Sequence, residues 1–270
     1  MNSRPIGIFD SGVGGLTVFK VLEAALPDEA FVYLGDTARV PYGTRSAETV
    51  VRYSLEAAGF LAGHDVKMLV VACNSASSVA LDALAAEVPV PVIGVIEPGA
   101  RRAAELSTEG RIGVIGTRGT IASEAYPPAI RALVPDAEVT SQACPLFVPL
   151  AEEGWTDHEV AWRVAEVYLK PVIDAGVDTL VLGCTHYPLL KSVIAQVMGD
   201  GVRLVDSAEA VAAEVGKRLA AEPGLAAAAG GGPRENHFFV TDAPEPFLAV
   251  AERFLGGPVR RLERAQLTPD

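Results

Sequence analysis

Two cysteines stand in matching company far apart in the chain. Cys73 closes the apolar run "MLVVAC" and is followed at once by Asn74 and Ser75, while Cys184 closes "TLVLGC" and is followed by Thr185 and His186. In both places a helical pattern comes next. A lone buried cysteine is most often a small hydrophobe. The repeated context argues for more, because a thiol at a strand end and a helix start is near free backbone N–H groups that lower its pKa from about 8.5 toward neutrality. The third cysteine, Cys144, lies in "QACPLFVPLAEEG" among apolar residues and prolines, lacks such polar neighbours and reads as structural.

Two similarly presented thiols can serve a redox couple, a metal or proton transfer. A redox couple is usually built from C-x-x-C, which is absent, and zinc sites are marked by paired C-x-x-C or H-x-x-x-H spacings that do not occur either. Proton transfer is the third possibility. Inverting a stereocentre needs a base on one face of a carbon and an acid on the other, and two related halves facing each other would supply both.

Two loops carry further candidates. "FDSGVGGLTVFKVL" runs from a strand into a helix and brings Asp10 and Ser11 to the turn. It fails the dinucleotide pattern G-x-G-x-x-G and has no phosphate-loop lysine, so the turn serves a smaller site or Asp10 and Ser11 simply cap the helix. "LGDTARVPYGTRS" lies between a strand and a helix; its segment from Thr37 to Arg45 can wrap a ligand with backbone donors while Tyr42 closes one side, and a plain surface connection explains it nearly as well.

The elements that position these residues follow from periodicity. Short continuous apolar runs, "PIGIFD", "FVYLGD", "MLVVAC", "VPVIGV", "RIGVIGT", "AEVTSQAC", "TLVLGC" and "VRLVDS", alternate with amphipathic stretches such as Leu16–Leu26, Ala47–Ala62, Ser77–Glu87, Asp157–Ala175, Leu189–Met198 and Ala208–Ala221. That alternation predicts an α/β protein with mainly parallel sheets, and a site in the crevice beyond the carboxyl ends of the strands. The cysteines are separated by about one small domain's length, which predicts two pseudo-symmetric halves with a boundary near Glu97-Pro98-Gly99, where a helix-breaking pair follows a strand. A last strand "HFFVTD" and helix "EPFLAVAERFL" follow an Ala/Gly-rich segment, 224–236, that reads as a surface loop.

Bulk properties narrow the classes. The 270 residues, half of them hydrophobic, suffice for one large domain or two of ordinary size. The formal charge of −12 argues against a general nucleic-acid binder. No apolar run approaches the roughly 18 residues of a membrane helix, no signal peptide is evident, and three cysteines suit a reducing, cytoplasmic setting.

Taken in order, "IFDSGVGGLTV", "YLGDTARVPYGTRS", "VVACNSASS", "PLFVPLAEEGW", "LVLGCTHYPLL" and "FFVTDAPEPFLAVAERFLG" resemble the bacterial glutamate racemases over nearly the whole chain. The resemblance implies a cofactor-independent racemase that interconverts L- and D-glutamate to supply peptidoglycan synthesis. It implies two doubly wound α/β domains, 1–97 completed by 207–270, and 98–206, with the active site in the cleft between them. It implies that Cys73 and Cys184 are the catalytic thiols, serving the D- and L-enantiomer respectively, assisted by Asp10, His186 and Glu152. Substrate binding is implied for Asp10, Ser11, Tyr42, Gly43, Asn74, Ser75, Thr185 and His186, and a homodimer for the assembly. Ser75 stands where the family usually has threonine, so the hydroxyl survives and a methyl is lost.

The competing readings are an aspartate racemase of the same superfamily and a binding or thiol-regulatory protein on the same scaffold, although a binder needs neither cysteine. A pyridoxal-phosphate enzyme would need a Schiff-base lysine, for which Lys20, Lys67, Lys170, Lys191 and Lys217 offer no convincing setting.

Overall fold

The computed structural model of the chain describes residues 2–227 and 235–267. Ten strands are found among them: β1 Ile6–Asp10, β2 Phe31–Gly35, β3 Met68–Val71, β4 Val92–Gly94, β5 Arg111–Gly116, β6 Glu138–Ala143, β7 Thr179–Gly183, β8 Arg203–Asp206, β9 His237–Val240 and β10 Leu262–Arg264. They form a six-stranded sheet, ordered β10–β9–β2–β1–β3–β4, and a four-stranded sheet, ordered β6–β5–β7–β8. Every pairing between these strands is parallel. The order β2–β1–β3–β4 in the first sheet is thus repeated as β6–β5–β7–β8 in the second. β3 and β7 hold equivalent places, and each delivers one cysteine.

The central strands are apolar because helices cover both faces. β1, β2, β3 and β7 are buried at every position. One continuous core joins the inner faces of the two sheets: Ile8 and Val70 of the first and Val114 and Val181 of the second pack with Ile96, Ala100, Ala103, Val211 and Val215 from two intervening helices. Separate apolar clusters back the outer face of each sheet. Among the described residues no helix is long and apolar enough to cross a membrane.

Three local expectations are corrected. Glu97-Pro98-Gly99 is not a break but lies in the first turn of the helix Ile96–Leu106. A proline is tolerated there because the first N–H groups of a helix have no intrahelical acceptor. The stretch Ser77–Glu87 is two short helices, Asn74–Ser77 and Leu81–Glu87, rather than one. Leu189–Met198 begins as a 3-10 turn, Tyr187–Leu190, before the α-helix Lys191–Met198. The Ala/Gly-rich segment has its middle, 228–234, outside the described residues. The edge strand β10 has no apolar pattern to announce it.

Candidate active site

Both repeated cysteines open onto one cavity of about 300 Å³ at the carboxyl ends of the strands. Cys73 sits two residues past β3 and Cys184 one past β7, each 6% exposed. Ser11, Tyr42, Gly43, Asn74, Ser75, Glu152, Thr185 and His186 also line the cavity, whereas Asp10 lies behind the wall, fully buried at the end of β1. All the residues proposed from sequence therefore gather in or directly behind one cleft, and Cys144 does not line it. Its thiol faces the carbonyl of Gln142 at 3.7 Å.

The two thiols have different surroundings. Cys73 Sγ donates to Ser11 Oγ at 3.5 Å. Burial and the negative charge of Asp10 push its pKa up to about 12. The backbone N–H of Ala76 in the short helix that follows, and the Ser11 hydroxyl, pull the other way, but the loss of water around the sulfur outweighs them. Cys184 Sγ instead faces His186 Nδ1 at 3.8 Å, and His186 Nε2 meets Glu152 Oε1 at 2.9 Å. Burial works against a charged imidazole, but the sulfur and the carboxylate outweigh it and raise His186 to about 10. His186 thus presents a cation to one sulfur, and Phe254 packs edge-on against its ring with centroids 5.4 Å apart.

Asp10 is raised by burial, against the pull of His186 and of backbone N–H groups. Its Oδ2 accepts from Gly12 N–H at 2.9 Å, and its Oδ1 has no partner. Asn74 Oδ1 accepts from the Tyr126 hydroxyl at 2.7 Å, which leaves its buried Nδ2 donors unused. Ser75 Oγ shares hydrogen bonds with Thr117 Oγ1 at 2.9 Å and Thr120 Oγ1 at 3.2 Å. Tyr42 turns its hydroxyl away to Asp36, so this loop offers the cavity chiefly the Tyr42–Gly43 backbone. No lysine or arginine is among the described lining residues; an anion here would be met by neutral donors and the imidazolium.

Several contributors were not singled out by sequence. Thr117 follows β5, the counterpart of β1, and joins Ser75 across the cleft. Gly14 lets the turn after β1 approach the second sheet: a Cβ there would lie 2.2 Å from Thr185 Oγ1 and 2.5 Å from His186 Nδ1. One wall is apolar and comes from the last helix, with Pro246, Phe247 and Val250. The strand order that pairs Ser11 with Thr117 was the available signal, but it is legible only once the sheets are assembled.

Residues 6–215 match the family described as Asp/Glu/Hydantoin racemase. A glutamate racemase of Geobacter metallireducens is 59% identical over 94% of this chain and 93% of its own length. A glutamate racemase isoform from Bacillus anthracis superposes with a TM-score of 0.94 at 40% identity, over 99% of both chains. One from Francisella tularensis, solved in complex with D-glutamate, gives a TM-score of 0.91 at 39% identity, again over 99% of both. With its family pattern spanning most of the sequence and its fold shared end to end, the chain belongs to the Asp/Glu/Hydantoin racemase family and groups with that family's glutamate racemases.

Proposed function

We propose that the chain interconverts L- and D-glutamate by passing the α-proton between the substrate and two thiols on opposite sides of the cleft. The observation that carries this reading is that Cys73 and Cys184, from equivalent strand ends, wall one cavity with the His186 ring against only one of them. One sulfur, as thiolate, removes the α-proton; the other, as thiol, returns a proton to the opposite face. One proton leaves and one arrives, so the carbon changes hand without changing oxidation state. Negative charge grows on the substrate carboxylate as the proton departs, and preorganised donors stabilise it because they need not reorient at that moment. Asn74 Nδ2, Ser75 and Thr185 are the donors assigned to that task, with Ser11 beside Cys73, while the Tyr42–Gly43 backbone holds the substrate equally in ground and transition state. His186 keeps charge on the Cys184 side, Glu152 holds the imidazole, and Asp10 disfavours charge on Cys73.

By family analogy Cys184 serves the L-enantiomer and Cys73 the D-enantiomer. The same reading takes residues 1–97 with 207–270 as one domain and 98–206 as the other, and places the protein as a homodimer in the cytoplasm supplying D-glutamate for peptidoglycan. Sedimentation velocity tests the dimer. The test of the chemistry is racemisation without added cofactor in deuterium oxide, followed by circular dichroism and proton NMR. The wild type is expected to racemise glutamate with deuterium entering the α-position, and Cys73→Ala and Cys184→Ala each to lose that activity. Aspartate turnover in place of glutamate would move the reading to the neighbouring substrate, and inertness toward both would sink it.

A further inference from the structure

The loop bearing Tyr42 and Gly43 is held from behind by a carboxylate that the chemistry above does not use. Asp36 follows β2 directly and is fully buried. Its Oδ1 accepts from Thr241 Oγ1 at 2.8 Å, and its Oδ2 accepts both from Arg39 Nε at 2.7 Å and from the Tyr42 hydroxyl. Thr241, just past β9, also accepts the N–H of Ala38 at 2.9 Å, while Asp242 N–H donates to Thr37 Oγ1 at 3.0 Å. The start of the loop is thereby laced to the end of β9. Tyr42 is drawn inward toward Phe9 and Tyr53, with ring centroids 6.1 and 5.7 Å from theirs.

Anchoring Tyr42 fixes Gly43 against the other sheet. A Cβ on Gly43 would lie 2.7 Å from Thr117 Cβ, and one on Gly119 would lie 3.1 Å from the Gly43 carbonyl oxygen. Thr117 in turn bonds Ser75. A run of direct contacts therefore leads from Asp36 through Tyr42 and Gly43 to a hydroxyl pair on the cavity wall. A buried charge is a costly way to hold a loop, and packed apolar residues often stabilise as well or better. What a carboxylate adds is direction, since its oxygens fix where three donors point.

We infer that Asp36 is a positioning residue for substrate binding: it sets the Tyr42–Gly43 backbone at its working height across the cleft without touching the substrate. This rests on the racemase reading. A loosened loop weakens ground state and transition state alike, so its signature is a raised KM with kcat preserved.

The test uses the full chain with Asp36→Ala, racemisation of both enantiomers by circular dichroism, and hydrogen exchange over residues 37–45. A KM raised roughly tenfold for both enantiomers is expected, as for loss of a buried hydrogen-bonded anchor, with kcat within about twofold and faster exchange in the loop. Asp36→Asn should recover part of the affinity, because its amide oxygen can accept from Tyr42 and Arg39 while the amide group turns to the Thr241 hydroxyl. Should Asp36→Ala not fold, Tyr42→Phe removes only the anchored hydroxyl and should raise KM in the same sense. An unchanged KM beside a lowered Tm would overturn the inference by making Asp36 merely structural, and so would a loss expressed mainly in kcat. If the wild type fails to racemise glutamate, the functional reading falls by itself. Loop exchange still decides this inference, since unaltered exchange in the variants overturns it.

Discussion

Cys184 and His186 face one another, sulfur to Nδ1, at 3.8 Å. Cys73 instead meets the Ser11 hydroxyl, at 3.5 Å, and burial pushes its pKa up. Two bases that must exchange roles each turnover thus start unequal, with the cationic ring on the Cys184 side. Replacing His186 by Asn should lower kcat/KM by about a hundredfold or more, the scale of losing an assisting acid–base group. Free L- and D-glutamate are equally stable, so kcat/KM must fall by the same factor in both directions. The asymmetry should surface in the α-deuterium isotope effect, rising more for the enantiomer whose proton Cys184 removes, assigned above as L.

The same ring dictates a pH dependence. His186 is raised from 6.5 to about 10 in the folded protein, by the Cys184 sulfur and Glu152 against the opposing effect of burial. The folded state therefore binds more protons than the unfolded state between those values, and stability must fall as pH rises between them. The contribution is fully present below about 6.5 and gone above about 10. Urea midpoints measured from pH 6 to 10 should show this decline in the wild type and a flatter profile in His186→Asn. The high-pH limb of kcat/KM should likewise fall near 10.

Gly14 tests the closeness of the two halves. An alanine Cβ would overlap Thr185 Oγ1 at 2.2 Å and the His186 ring at 2.5 Å. Gly14→Ala should cost about 1–3 kcal/mol of stability, as overpacking does, and should lower kcat/KM roughly a hundredfold by displacing both site residues. Denaturant unfolding and steady-state racemisation check the two effects separately. Full activity in a stable variant would refute the assigned roles of Thr185 and His186.

Cys144 is the contrasting thiol. It is fully buried in the core behind the second sheet and lines no part of the cavity. Cys144→Ala should retain kcat and KM within about twofold while losing about 1 kcal/mol, the order expected for deleting one buried heavy atom. A large fall in kcat with stability intact would give this thiol a chemical role.

Strand–helix alternation, parallel sheets and the two strand-end thiols with their polar neighbours are all legible in the sequence. These are local matters: a buried strand writes a continuous apolar run, and the residue that ends it reaches the crevice whatever else the fold does. β3 and β7 carry Cys73 and Cys184 in this way. Which groups meet across the cleft depends instead on how the elements pack. Thr117 joins Ser75, Gly14 admits Thr185 and His186, Glu152 reaches the His186 ring, and Asp36 captures the Tyr42 hydroxyl. The inequality of the thiols has the same origin. Both end a strand and precede a turn, but burial beside Asp10 sets the state of one and an imidazole that reaches Glu152 sets the surroundings of the other. Short-range pattern encodes where a side chain leaves its strand; desolvation and charge depend on every element packed around it.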